Sequence, residues 1–211
     1  MRGTGKRIGA IKMVDFTNAM SEYIEMEIQT LKALNFTELN AAINAILDAR
    51  NRGGTIYTMG NGGSAATASH MVCDFAKGAT EQLGGKKFCF ECLCDNTPIV
   101  MAIANDISYE DIFVFQLQGK LNPKDLVIGI SGSGNSENVL RAVRYAKELG
   151  VPVIGMTGYS GGKLRELADY PMHVNIDDMQ VAEDVHMIFD HMLLRVLDQC
   201  VAVRCNNGTV G

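Results

Sequence analysis

Apolar residues recur along this chain with two different periods. Val14 to Leu34 places Met20, Ile24, Ile28 and Leu31 at helical spacing, and Asn35-Phe36-Thr37 breaks the run. A second helix follows to about Arg50 with Leu39, Ile43, Ile46 and Leu47 on one stripe, and Gly53-Gly54 ends it. From Thr55 onward short apolar runs alternate with longer amphipathic stretches. Strands are predicted at 55–59, 86–94, 125–130, 151–157 and 172–176. Helices are predicted at 65–77, 99–104, 109–119, from Ser136 to about Leu149, and 181–204, with Asn105-Asp106 as a polar break. Buried strands alternating with amphipathic helices imply an α/β fold of parallel βαβ units, with helices on both faces of a central sheet. The hairpin of residues 14–53 precedes the α/β core of 54–180, and the helix of 181–204 closes a single domain.

That last helix is apolar nearly all round, through Val185, Met187, Ile188, Phe189, Met192, Leu193, Leu194, Val196 and Leu197. Such a helix needs cover on both sides, and a second subunit is the simplest cover. An oligomer is therefore expected.

The chain has 211 residues, 47% of them hydrophobic and 20% charged, which suits one soluble α/β domain with a sizeable core. A net charge of −5 argues against a nucleic-acid surface, and no apolar run approaches the ~20 residues of a membrane span. Residues 1–13 carry Arg2, Lys6, Arg7 and Lys12 without a long apolar segment, and read as a disordered basic lead rather than a secretory signal. Of the six cysteines, Cys89, Cys92 and Cys94 crowd one strand. Period two sets Cys92 and Cys94 on one face and Cys89 on the other, so reduced thiols in a buried strand, and a cytoplasmic location, are expected.

Two loops carry the candidate chemistry. The strand Thr55–Met59 stops in Gly60-Asn61-Gly62-Gly63, and Ser64 can N-cap the helix that follows. The strand ending at Ile130 repeats this logic in Ser131-Gly132-Ser133-Gly134-Asn135-Ser136. Glycine permits close backbone approach, so amides and hydroxyls converge on an anion at a helix N-terminus without any lysine or arginine. A phosphate suits both places. Neither a P-loop nor the Gly-x-Gly-x-x-Gly spacing of a dinucleotide site occurs.

His70 and Asp74 lie four apart on the helix after the first loop and share a face. Glu183, Asp184, His186, Asp190 and His191 cluster on the last helix. These carboxylates and imidazoles would make an acid/base pair or a divalent-metal site, converging within the chain or across subunits. Glu183 and His191 are eight residues apart, about 12 Å of rise on one straight helix, so an unbroken helix keeps them from sharing an ion. Glu183 and His186 are the rival pair on such a helix. His173 lies in a strand and reads as structural.

The two loops and Glu183-Asp184-Val185-His186 together resemble the SIS (sugar isomerase) domain, and most of all the phosphoheptose isomerases, from about Phe16 to Leu197. The resemblance implies a three-layer, Rossmann-like or flavodoxin-like sandwich and a homotetramer with sites at subunit boundaries. It implies that sedoheptulose 7-phosphate is converted to D-glycero-D-manno-heptose 7-phosphate through an enediol. Asn61, Gly62, Gly63, Ser64, Asn105 and Asp106 would line the sugar, and Ser131, Gly132, Ser133 and Ser136 would border the phosphate. His70, Asp74, Glu183 and His191 fall where the family has its metal-binding and acid/base residues, with zinc as the implied ion. The chain departs from the family with Asp74 for a glutamate, Glu183 for a glutamine and Gly132 for a threonine. These changes leave open another phosphosugar as substrate, or a non-catalytic SIS protein that binds a phosphosugar as a regulator or scaffold.

Overall fold

The computed structural model describes residues 13–78 and 87–206. The helical hairpin comes first, as α1 (Thr17–Lys32) and α2 (Phe36–Arg52). Asn35 caps α2 by accepting from the amides of Thr37 and Glu38, and Gly53 ends it in the left-handed region at φ 72°. The core then runs β1 (Thr55–Met59), α3 (Gly63–Cys73), β2 (Cys89–Cys92), α4 (Thr97–Asp106), α5 (Val114–Leu117), β3 (Leu126–Ser131), α6 (Glu137–Glu148), β4 (Val153–Thr157), α7 (Gly162–Leu167), β5 (Tyr170–His173) and α8 (Met179–Asn206).

All five strands pair in parallel in the order β2-β1-β3-β4-β5. The pleat sends Ile56, Leu126, Ile128, Ile130, Ile154 and Met156 into one apolar layer with α2, α3 and α8. Tyr57, Met59, Val127 and Val153 enter the other, with α6 and α7. Asp125 holds the entry edge, where its carboxylate accepts from the amides of Thr55 (2.8 Å) and Asn122 (2.9 Å). At the exit edge the chain leaves β1 toward one side and β3 toward the other. This is the switch point of a doubly wound sheet, where such folds form a crevice. Both glycine-rich loops leave the sheet there.

Several sequence expectations change. Tyr109–Gly119 is not one helix but a 3₁₀ turn (Tyr109–Asp111) followed by the four-residue α5. Asp111 pins that turn, taking a bond from Ser108 (2.7 Å) and another from Arg141 (2.8 Å). Asn105-Asp106 is no break but the exposed end of α4, which Asn96 caps at its start. Cys94 lies beyond β2, where its thiol donates to the Gly60 carbonyl (3.3 Å), while Cys89 is exposed and Cys92 buried. The helix α7 had no counterpart in the sequence reading. The basic lead falls outside the described residues, except Met13, which is exposed.

The uncovered apolar surface is also elsewhere than expected. Among the described side chains of α8, Met179 is exposed, Val181, Val185, Phe189, Leu193 and Leu197 are buried against the core, and Met187, Ile188, Met192, Leu194 and Val196 are half-buried. The exposed stripe is on α1 and just before it: Phe16, Met20, Ile24 and Ile28. The opposite face of α1 holds to α8, with the Tyr23 hydroxyl donating to Asp184 at 2.5 Å.

Candidate active site

The first loop turns into α3 through Gly62, whose φ of +55° favours glycine. Gly62 stands at the cap position, and no side chain caps the leading amides of α3. Ser64, expected to be that cap, sits inside the first turn instead, because the positive-φ turn starts the helix earlier. It is buried at the wall of a cavity.

The second loop is braced from behind. Gly134, at φ +66°, donates to the Ser131 carbonyl (3.0 Å) and accepts from the Leu164 amide of α7 (2.9 Å). A Cβ at Gly134 would overlap the Gly161 carbonyl, so only glycine fits. The hydroxyls of Ser131 and Ser136 lie 3.0 Å apart, and Ser136, at the cap position of α6, bonds none of its amides. The loops enclose a cavity of about 170 Å³ lined by Asn61, Ser64, Ser131, Gly132, Ser133 and Ser136, with Ile130, Met179 and Glu183.

Asn61 and Asn138 exchange two amide hydrogen bonds (3.0 and 2.8 Å), and the Tyr109 hydroxyl donates to Asn61 Oδ1 (2.9 Å). The two loops thus keep a fixed spacing across the cavity.

Helices α3 and α8 run side by side, and they separate two groups of titratable residues. At their start, the Glu183 carboxylate covers Gly63, where a Cβ would overlap it. Further along both helices, His70 and His191 bring their Nε2 atoms to 3.1 Å. Asp74 Oδ2 is 3.6 Å from His70 Nε2 and 3.9 Å from His191 Nε2. Asp74 opens a wider, π-type turn (Asp74–Gly78) at the end of α3, a distortion that functional sites often carry. Asp190 Oδ2 approaches His70 Nε2 at 3.9 Å from a fully buried position, and neither of its oxygens has a hydrogen-bond partner. Burial pushes its carboxyl up to about 7. One donor atom each from His70, Asp74, Asp190 and His191 falls within 4.8 Å of all the others.

The SIS-domain family profile matches residues 17–158. A probable phosphoheptose isomerase of Thermoplasma volcanium is 34% identical over 179 residues, 85% of this chain and 90% of the relative. The phosphoheptose isomerase of Geotalea daltonii is 36% identical over 163 residues, 77% of this chain and 83% of the relative. This chain belongs to the SIS-domain phosphoheptose isomerase family. The solved phosphoheptose isomerase of Neisseria gonorrhoeae superposes with a TM-score of 0.80 at 26% identity, covering 88% of this chain and 100% of that one.

In this SIS domain the predicted residues fall into three places. Asn61, Ser64, Ser131, Gly132, Ser133, Ser136 and Glu183 line the cavity, and Gly62 and Gly63 open α3 beside it. His70, Asp74 and His191 meet in the second group. Asn105 and Asp106 are exposed at the end of α4, bond to each other (2.7 Å), and do not line the cavity. Helix α8 begins at Met179 and runs through both Glu183 and His191, so the rise between them within one chain stands, and the alternative of a helix that starts after Glu183 is removed. The rival pair with His186 is not formed either. His186 is buried and pushed down to about 4 by burial, away from both groups. His173 bonds Thr157 Oγ1 (3.0 Å) at the end of β5.

Asn138, Tyr109 and Met179 had no sequence signal beyond a polar or apolar residue near a loop. Asp190 had one: a carboxylate beside a histidine inside an otherwise apolar run.

Proposed function

We propose that this protein is an aldose–ketose isomerase that converts sedoheptulose 7-phosphate to D-glycero-D-manno-heptose 7-phosphate. The arrangement of its two groups carries this reading. A hydroxyl-rich cavity suited to a phosphate, with Glu183 in its wall, lies about 12 Å of helix rise from a carboxylate–imidazole pair suited to proton transfer. An open-chain heptulose phosphate has eight bonds from phosphorus to C1, about 10 Å when each 1.5 Å bond projects ~1.25 Å. A three-carbon sugar phosphate could not bridge the two groups. Relatives named phosphoheptose isomerase at 34% and 36% identity support the enzyme over a regulator or scaffold.

Ser131, Ser133 and Ser136 with the amides at the starts of α3 and α6 hold the phosphate, and Asn61 and Ser64 orient the sugar hydroxyls. Asp74 takes the proton from C1 and returns it to C2 of the cis-enediolate. His191 protonates O2 and removes the proton from O1, so no proton is gained or lost overall. Asp74 is preferred to Glu183 as the base because it lies within 4 Å of both imidazoles. Glu183 borders the phosphate end instead. Asn105 and Asp106 would reach the sugar from a neighbouring subunit.

Two imidazoles and a carboxylate are a donor set that suits zinc, and His70, Asp74 and His191 would hold such an ion. When bound it would polarise the substrate oxygens. The apolar stripe on α1 supports a homotetramer whose subunits complete one another's sites. No helix among the described residues is long and apolar enough to cross a membrane, and a phosphosugar substrate suits the cytoplasm.

The test is isomerisation of a ketose phosphate panel by wild type, Asp74→Asn, Glu183→Gln and His191→Ala. Asp74→Asn and His191→Ala are each expected to lose about 10²–10⁴ in kcat. Undiminished turnover in both would remove the assigned roles. Binding of the phosphosugars without any turnover in the wild type would favour the regulator.

A further inference from the structure

We infer that Cys92 and Cys94 form a reversible disulfide when a peroxide reaches them, and that this bond releases the first glycine-rich loop. The thiol chemistry needs no sugar, whereas its effect on phosphosugar binding rests on the function proposed for that loop.

Position comes first. Strand β2 ends at Cys92 and the chain turns at once, the Asp95 amide donating to the Cys92 carbonyl at 3.3 Å. Two Cα steps of roughly 3.8 Å meeting near a right angle place the Cα atoms of residues 92 and 94 about 5.4 Å apart, inside the range that a disulfide spans. Within this turn the Cys94 amide donates to the Cys92 sulfur at 3.4 Å. The Cys94 side chain leaves the Cα next to that nitrogen, so rotation about its χ1 carries one sulfur to the other. Cys89 is no rival, because three strand residues put it on the opposite face from Cys92, beside the Thr55 hydroxyl at 3.5 Å.

Reactivity comes second. Cys94 is half-buried, and Cys92 is buried but lines a cavity of about 500 Å³ beside β2. The interaction between the two thiols sets them apart, lowering the pKa of Cys94 and raising that of Cys92. Cys94 is thus the attacking sulfur. Its thiolate takes the terminal oxygen of the peroxide as the O–O bond breaks, giving a sulfenic acid, and the thiol proton goes to the departing oxygen. Cys92 then attacks the Cys94 sulfur, the S–S bond forms, and the sulfenic oxygen leaves as water with the Cys92 proton. Two thiols lose two electrons and the peroxide gains them. A bond across so short a turn is strained, so a small thiol reductant reverses it.

The link to the loop comes third. The Cys94 thiol donates to the Gly60 carbonyl at 3.3 Å. Gly60 opens the loop that sets Asn61 and Ser64 in the cavity wall. A Cys94 bonded to Cys92 has no proton to give, and the carbonyl loses its donor. The loop has little slack to absorb this, since a Cβ on Gly60 would lie 2.7 Å from that of Ser64.

The experiment uses the full chain with Cys89→Ser, so that the tryptic peptide of residues 88–120 holds only the two thiols in question. Hydrogen peroxide is expected to leave this peptide two hydrogens lighter and closed to alkylation, and dithiothreitol to restore it. Amide hydrogen exchange at residues 60–65 should quicken on oxidation. The Kd for sedoheptulose 7-phosphate should rise about three- to tenfold, the effect of one lost hydrogen bond. Cys92→Ala added to this chain should keep the reduced affinity and ignore peroxide. Cys94→Ala should show fast exchange and weak binding with no oxidant present.

Peroxide that leaves both thiols open to alkylation would overturn the inference, as would oxidation of Cys94 alone to a sulfinic acid. So would a disulfide that leaves exchange at 60–65 unchanged, or a peroxide effect as large in the Cys92→Ala chain as in its parent. Disulfide and exchange are read without sugar. If both respond while no phosphosugar binds the reduced chain, the thiol pair stands and the isomerase reading falls. Phosphosugar turnover that peroxide does not alter does the reverse.

Discussion

Gly132 and Met179 meet at the cavity between the two glycine-rich loops, where a Cβ on Gly132 would lie 2.8 Å from the Met179 sulfur. The thioether of α8 therefore fills space that a side chain at 132 would need. Gly132→Thr is expected to raise KM for the phosphosugar, and Met179→Ala added to it should recover part of the loss. A double-mutant cycle on KM should return a coupling of about 0.5–3 kcal/mol, and strictly additive effects would mean that the two residues do not share this space. His186 gives a prediction of another kind. Burial holds its folded pKa near 4 against an ordinary 6.5. The unfolded chain takes up a proton below pH 6.5, and the folded one does not until about pH 4. This contribution to stability is therefore complete above pH 6.5 and is lost as pH falls to about 4. It amounts to about 3 kcal/mol. Melting curves from pH 7 to pH 4 should fall less steeply in His186→Leu than in wild type, and equal slopes would contradict the assignment. Residues of this kind were poorly legible in the sequence. The serines and glycines of the loops announced themselves by composition. Asn138 and Met179 acquire their roles from neighbours far along the chain.

The elements were legible wherever one period ran long enough. All five strands and the helices α2, α3, α6 and α8 fall within a few residues of where the apolar pattern puts them. The failures are short or locally pinned pieces. The six residues of α7 are too few to display a period, and Asp111 holds the 109–111 turn by bonds to Ser108 and Arg141. The missed α7 matters because its start closes on Gly134. Gly134→Ala would force a left-handed φ on alanine and drive its Cβ into the Gly161 carbonyl. We expect a loss of about 1–3 kcal/mol in stability and weaker phosphosugar binding, measured by thermal melting with and without ligand. A variant that melts like wild type would argue against the bracing role of α7.

At the scale of the whole molecule, the parallel sheet sets both loops at one switch point, and α3 and α8 run from there to the histidine cluster. The distance between the two groups is a property of helix length rather than of any single residue. An oligomer was expected from an apolar α8, yet the exposed stripe is on α1, because the sequence pattern of α8 does not reveal how much of it the chain itself covers. Met20→Lys with Ile24→Lys is expected to dissociate the proposed homotetramer and reduce turnover together. Sedimentation velocity would read the first and a coupled assay the second, and an unaltered sedimentation coefficient would rule out this face as the contact. The most direct measurement of the central claim is NMR of sedoheptulose 7-phosphate incubated with the protein in D₂O. Solvent deuterium should appear at C1 of the ketose and C2 of the aldose product with wild type, and not with Asp74→Asn. A phosphosugar that binds in the cavity while its C1 protons stay unexchanged would contradict it.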